Sequence, residues 1–538
     1  MYGSLIVIMD KYAQLHDNQR EIVDYIVHNP TQNVLVTGAA GTGKSWVRAA
    51  AYERCKGINT IQIGPTGPSV YGLRNSYTLM LFLGAERGMS LASLIERGTV
   101  AVSAAYLKTA QIFLEEVALM NAAEFDALHA ILCRVMGRYD VLFGGIRTVL
   151  FFDVMQLKPA SDKVFYESKV FAQLPVTAFR GFRLKGSNRI KDVDAEDAEF
   201  FERVLTAMRD SDMGDNRVYE YIFRTMNRVT IPTDTLHICA TNKLVDHYNT
   251  QYIDKLTEMG IPQMKLKATR RQITNTPIES IYIEKEPVPQ TIVIGKGSRV
   301  QFTSNCYRRG SYNQLHVTNG TFGTVQDIIA IKGTRVPEDE EVSDLFGKIS
   351  TINGKPLGTK NIIVRVVLQD TLEVVNVHAK EYTHTDTMTG APLIHFYQWP
   401  LALAFATTVH RVQGMSLDKV CVVGTSMSSA SLAYTACSRA RTLRGLYGIK
   451  MHPQIFAKAP VETPYTRECL RHLEQYFTRD ASILPLPTPL PPTQPQLKKT
   501  NTAPLSYIQP RRTTYTYARR MHPYTTTNTS KEHRLSYS

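Results

Sequence analysis

Val34-Leu35-Val36-Thr37 runs directly into Gly38-Ala39-Ala40-Gly41-Thr42-Gly43-Lys44-Ser45. The first four residues read as a buried strand, and the next eight fit the GxxxxGK[ST] spacing of a phosphate loop. Trp46 to Cys55 follows with a helical pattern. In that setting the backbone N–H groups of Gly38, Ala39, Ala40, Gly41, Thr42 and Gly43 turn inward to cradle phosphates. Lys44 reaches the β and γ oxygens, and the Ser45 hydroxyl is placed to hold Mg²⁺. The helix dipole also faces the anion. The loop predicts a bound nucleoside triphosphate, and by itself says nothing of what the energy is used for.

Outward from the loop, the β-rich runs Val34–Val36, Thr60–Ile63, Ile112–Leu114 and Thr148–Phe152 alternate with amphipathic helices as far as about Lys185. That is the pattern of a parallel sheet covered by helices. A second alternating stretch begins near Ala178, includes Thr235–Ala240, resumes at Leu403 and ends near Met451. Between them, from roughly Pro287 to Tyr397, strand-like runs occur with almost no helical periodicity, which predicts a small β-barrel inserted into a second α/β unit. With 538 residues, the chain is long enough for several compact units.

The net charge of +14 suits a polyanionic partner. Half of it lies after Ala481, where eight basic residues (Lys498, Lys499, Arg511, Arg512, Arg519, Arg520, Lys531, Arg534) face one acid, Glu532. Six prolines between Pro485 and Pro495 open this stretch, so it reads as a disordered tail, stiff at first and then a cationic arm. A PxxP pair such as Pro489 to Pro492 either docks a protein partner or is part of a plain linker. The seven cysteines form no CxxC pair and suggest neither zinc nor a disulfide framework, which points to a reducing compartment. Met1–Asp10 has no basic leader pattern, and no run approaches the ~18 apolar residues of a membrane span, so neither secretion nor a membrane is expected.

A phosphate loop needs an acid at the tip of a neighbouring strand to hold Mg²⁺ and orient the attacking water. Ile112-Phe113-Leu114-Glu115-Glu116 supplies two, and Asp153-Val154-Met155-Gln156-Leu157-Lys158-Pro159 follows a third strand, with Gln156 placed to sense a γ-phosphate. Further stations fall in order: Leu15-His16-Asp17-Asn18-Gln19, Gly64-Pro65-Thr66-Gly67, Val117 to Leu128, Ser187-Asn188-Arg189 and Val317 to Gly323. The C-terminal half adds Gln398 to Asp418, containing Thr408, His410, Gln413 and Gly414, and then Tyr434-Thr435-Ala436-Cys437-Ser438-Arg439-Ala440.

Taken together, this set resembles the superfamily 1 DNA helicases of the Pif/RecD-like type over residues 12 to 450. The resemblance implies two RecA-like P-loop NTPase domains with an inserted β-barrel. Its divisions are residues 1–185 for the first RecA-like domain, 186–286 and 398–478 for the second, 287–397 for the barrel and 479–538 for the basic tail. It implies ATP and Mg²⁺ as cofactors, with Gln19 reading the base, Ser45 and Glu115 at the metal, and Gln413 and Gly414 near the nucleotide. Lys44, Glu115, Glu116, Gln156, Arg189 and Arg439 would act in hydrolysis, the two arginines from across the cleft.

Thr66 and Gly67 on one side and Thr408 and His410 on the other would grip single-stranded DNA. The implied activity is ATP-driven 5′–3′ translocation and unwinding at duplex junctions, in replication, repair or recombination. The chain would act as a monomer or a DNA-induced dimer, in a nucleus or a viral replication compartment. Four positions depart from the family pattern: Glu115 for aspartate, Phe152 for glycine, Met80 near a usual histidine and Ile190 for glutamine. The longer Glu115 leaves a second reading open, an ATP-switched single-strand-binding protein with weak hydrolysis.

Overall fold

Val34–Thr37 lies inside a six-stranded sheet in the computed structural model of the chain. The structure describes residues 11–55, 57–70, 72–84, 90–102, 107, 110–159, 163–185, 195–227, 230–272, 289–304, 306–307, 315–330, 342–344, 351–352, 355–356, 362–385, 392–456 and 464–478. Strand order in this sheet is Ser76–Thr78, Asn59–Gly64, Ala110–Leu114, Arg147–Phe152, Val34–Thr37, Arg180–Arg183, and every pairing is parallel. Successive strand residues face opposite sides. Ile112 and Leu114 join one core with Leu128 and Phe165, whereas Phe113 joins another with Ile22, Val47 and Phe151. Both faces are covered, which is why these strands read as unbroken apolar runs.

The helices Asp17–His28 and Lys44–Arg54 cover one face. Ala122–Met136 covers the other, and a capping box starts it: Asn121 Oδ1 accepts the Glu124 N–H at 2.8 Å while Glu124 Oε2 accepts the Asn121 N–H at 3.0 Å.

A second sheet has four parallel strands in the order Ala406–Thr408, Leu236–Cys239, Val420–Val423, Leu446–Ile449. The helices Ala195–Asp210 and Ala430–Cys437 cover it through Phe201, Val204, Leu432 and Tyr434. Leu157 from the first unit belongs to the same core, so the two units meet through apolar contact as well as polar groups.

The helix-poor region is antiparallel. Five strands run in the order Val374–Val377, Ile362–Leu368, Phe322–Ala330, Arg299–Phe302, Leu401–Leu403, closed over Val364, Val366 and Trp399. Antiparallel pairing extends beyond residues 287–397 on both sides. Gln263–Lys267 pairs with Thr291–Gly295, Thr269–Gln272 with Pro392–Gln398, and Leu401–Leu403 with Arg299–Phe302.

The chain then returns to its first unit. The helix Pro464–Thr478, which the sequence reading places with the second, packs by Cys469, Leu473 and Tyr476 into the first unit's core. Tyr476 Oη donates to Leu174 O at 3.2 Å, and Gly181 lies so close that a Cβ there would meet Tyr476 O at 2.3 Å. Among the described residues no helix is long and apolar enough to cross a membrane. The predicted Pro-rich and basic tail, 479–538, and Arg189 lie outside the described residues.

Candidate functional site

The loop Gly38–Ser45 leaves the strand Val34–Thr37 and ends on the first turn of Lys44–Arg54. Gly43 caps that helix at φ 87°, a left-handed conformation that side chains with a Cβ enter only at a cost. Lys44 folds back over the loop, donating from Nζ to Gly38 O at 2.6 Å and Ala39 O at 3.1 Å. Burial lowers its pKa, and the carboxylates of Asp153 and Glu116 oppose that fall. The lysine amine thus lies against the loop's own backbone, between two opposing influences on its pKa. Ser45 is exposed at the helix start.

Gln19 sits behind the loop. Its Nε2 donates to Thr42 O at 2.8 Å and its Oε1 accepts the His16 N–H at 3.0 Å. With 1% exposure it braces the loop in this arrangement and offers no open edge to a base.

The two acids at the end of Ala110–Leu114 have different surroundings. Glu115 is buried, and its Oε1 lies 3.0 Å from Arg48 Nε on the loop's own helix. Arg48 also donates through Nη1 to Gln62 Oε1. The extra methylene that distinguishes glutamate from aspartate is thereby taken up by a buried ion pair. Burial pushes the Glu115 carboxyl up to about 7, against the pull of Arg48.

Glu116 adopts φ 48°, a strained value for a residue with a Cβ. Its Oε2 is buried with no hydrogen-bond partner among the described residues, and its Oε1 faces Gly414, whose added Cβ would lie 3.8 Å away. The orphaned Glu116 oxygen and the exposed Ser45 hydroxyl are each the kind of hard oxygen donor that suits a divalent cation, and Glu116 is less committed to a protein partner than Glu115.

Because the pKa of Glu115 lies above its ordinary 4.5, its contribution to stability is full below that value and is lost as pH rises through about 7. Glu115→Gln should remove this slope. Between pH 5 and 8 the wild type should lose about 2 kcal/mol more than the variant, read by denaturant titration at both pH values. Equal losses would show that Glu115 titrates normally.

The second unit contributes the facing wall. Arg439, just after the helix Ala430–Cys437, is 4% exposed. Its Nε donates to Thr435 O at 2.9 Å, Nη1 to Met415 O at 3.1 Å and Nη2 to Ser438 Oγ at 2.7 Å. Burial lowers its pKa, and Glu116 followed by Tyr434 and Asp153 work against the fall, which puts these groups in one electrostatic neighbourhood. Gln413 is 1% exposed and neither its Oε1 nor its Nε2 has a hydrogen-bond partner among the described residues.

On the first unit, Gln156 donates from Nε2 to Asp153 Oδ2 at 3.2 Å while its Oε1 has no hydrogen-bond partner among the described residues. Unsatisfied amides buried at one cleft are costly unless a ligand completes them. Ser431 Oγ donates to Gln156 O at 2.8 Å, tying the two walls.

The proposed strand-gripping residues are less uniform. Thr66 and Gly67 are half-buried, and a Cβ on Gly67 would come within 2.2 Å of Asn319 O, so this segment is pressed against the turn that opens the antiparallel unit. His410 is exposed, whereas Thr408 is 9% exposed and presents little surface.

Sequence reasoning missed three participants: Arg48, Arg209 (Nε 3.8 Å from Asp153 Oδ1) and Tyr434, whose hydroxyl lies 3.0 Å from Ala40 N. Tyr434 and Asp153 sit inside recognised motifs, so a signal existed for them. Nothing in the spacing of Arg48 marked it as the partner of Glu115.

Comparison with known proteins gives one answer. Residues 14–217 match the model of the PIF1-like helicase family. The chain is similar to the ATP-dependent DNA helicase PIF1 of Homo sapiens, 24% identical over 451 residues that cover 82% of this chain and 61% of that protein. It is similar also to the ATP-dependent DNA helicase Pif1 of a Psychrobacter strain, 23% identical over 77% of this chain and 65% of that protein. The chain therefore spans less than two thirds of the length of these relatives.

Among solved structures, the Pif1 helicase of Candida albicans matches with a TM-score of 0.64 at 21% identity, covering 86% of this chain and 99% of that one. The Bacteroides Pif1 helicase in complex with ADP-AlF3 and single-stranded DNA matches with 0.59 at 20% identity, covering 86% and 97%. The fold is shared.

Proposed function

We propose that the chain is a PIF1-like helicase, a reading supported by the match over residues 14–217 and the similarity to PIF1 proteins, and that it is an ATP-dependent DNA helicase that translocates 5′ to 3′ on single-stranded DNA and unwinds duplex junctions. The observation that carries the reading is the cleft itself, with Lys44 and the loop amides on one wall and Arg439, Gln413 and Tyr434 on the other.

In this reading residues 1–185, joined by the returning helix Pro464–Thr478, form one RecA-like ATPase unit and residues 186–286 with 398–456 the other. Residues 287–397 form an inserted barrel, and the basic tail 479–538 adds a cationic arm for nucleic acid or a protein partner. Arg189 would join Arg439 at the γ-phosphate, and Gln19 would brace the loop from behind. The oxygens of Ser45 and Glu116 would hold Mg²⁺, with Glu115 beside them; when bound, the ion neutralises charge on the β and γ oxygens. Lys44 binds those oxygens, and Glu116 accepts a proton from the attacking water. Arg439 stabilises the transferring phosphoryl only when the cleft closes. Closure then draws the grip at Thr66 and Gly67 towards that at Thr408 and His410, and the strand advances.

Strand displacement on partial duplexes tests this. A 5′ tail should be unwound with ATP and a 3′ tail should not. Equal unwinding of both, or of neither, would overturn the polarity or the activity respectively. The second reading, an ATP-switched single-strand binder with weak hydrolysis, is favoured by one observation, the capture of Glu115 by Arg48. Phosphate release with and without single strands separates the two.

A further inference from the structure

Tyr434 is 1% exposed, and a buried phenol hydroxyl needs partners. It finds both on the opposite wall of the cleft. The hydroxyl accepts the N–H of Ala40, the third residue of the phosphate loop, at 3.0 Å, and it donates to Asp153 Oδ2 at 3.3 Å. Asp153 is fully buried and is a hub. Its Oδ1 accepts Met155 N–H at 3.1 Å and lies 3.8 Å from Arg209 Nε, while Gln156 Nε2 reaches its Oδ2 at 3.2 Å.

One hydroxyl therefore joins a loop amide, a buried carboxylate and the helix Ala430–Cys437, just past which stands Arg439. The side chain of Arg439 is anchored to that same helix end through Thr435 O, so both residues are fixed to one piece of backbone.

The Ala40 N–H belongs to the array that a triphosphate would occupy. A phosphate oxygen carries charge and makes the stronger, charge-assisted hydrogen bond, so it displaces a neutral phenol oxygen from that donor. We propose that Tyr434 is a positioning residue that senses occupancy of the phosphate loop. In this structure the phenol and the Ala40 amide satisfy each other. With a phosphate on Ala40, the phenol keeps only Asp153, and the helix end settles in the register that aims Arg439 at the phosphate. The inference rests on the ATPase reading and adds to it a route by which the second unit learns that nucleotide is present.

Tyr434→Phe keeps the ring and its packing and removes only the hydroxyl. Two readouts are taken on the full chain, affinity for a non-hydrolysable ATP analogue and single-strand-stimulated kcat. Affinity should stay equal or rise by a few fold, because a competitor for the loop is gone. At the same time kcat should fall about tenfold, the rate equivalent of one modest hydrogen bond. Thermal unfolding supplies a third readout, with the variant below wild type when nucleotide-free and level with it when the analogue is bound. An unchanged kcat would overturn the proposal, as would loss of affinity together with kcat. If the wild type itself hydrolyses no ATP, the helicase reading fails, and the affinity and unfolding readouts still decide the role of Tyr434.

Discussion

Lys44→Ala should abolish single-strand-stimulated ATP hydrolysis, lowering kcat by about 10²–10³-fold or more, the effect of deleting one preorganised charge from a closed site. The geometry explains why no neighbour substitutes. Lys44 Nζ is held at 2.6 Å and 3.1 Å from the carbonyls of Gly38 and Ala39, and Asp153 and Glu116 oppose the fall in its pKa that burial causes. Arg48, close by on the same helix, is committed to Glu115 and Gln62. The fold should survive, since the lysine is half-buried and its hydrogen bonds go to the loop's own carbonyls. Strand binding measured by fluorescence anisotropy should remain within a few fold. Stimulated phosphate release persisting in the variant would remove the loop from the mechanism.

Arg439→Ala should lower kcat by about 10³-fold, the lower end for a lost arginine finger, with nucleotide affinity little changed. Arg439→Lys should rescue little of it. Three separate nitrogens of the guanidinium are held, by Thr435 O, Met415 O and Ser438 Oγ, and an ammonium cannot reproduce that fork. Single-turnover phosphate release with analogue-binding controls distinguishes this from lost affinity. A lysine variant at wild-type rate would mean that charge alone matters at this position, and a kcat unchanged in the alanine variant would place Arg439 outside the chemistry.

Much of the architecture was legible because its signals are local. Apolar runs of three to five residues, the glycine spacing of the loop and the helical patterns between them each report on neighbours in sequence. The structure has strands at Val34–Thr37, Asn59–Gly64, Ala110–Leu114 and Arg147–Phe152 where the runs predicted them. The limits of the antiparallel region were harder to read, since a strand such as Leu401–Leu403 looks the same whether it pairs with Arg299–Phe302 or with a parallel neighbour. The helix Pro464–Thr478 carries an apolar stripe that any core would accept, and nothing local names the core it joins.

For the site, the sequence by itself determined the phosphate loop, the paired acids and Arg439, since each is a residue type at a fixed offset from a strand or helix end. Only the tertiary structure decided how they are wired. It turned Glu115 towards Arg48, left Glu116 with an oxygen that has no partner among the described residues, put Gln19 behind the loop, and brought Tyr434 to Ala40 across 394 residues of chain. The physical reason is that burial makes a polar group depend on a specific partner, and that partner is set by where the chain folds back. A strand or a loop can be read one segment at a time, but a buried pair is a joint property of two segments and exists only once they have met.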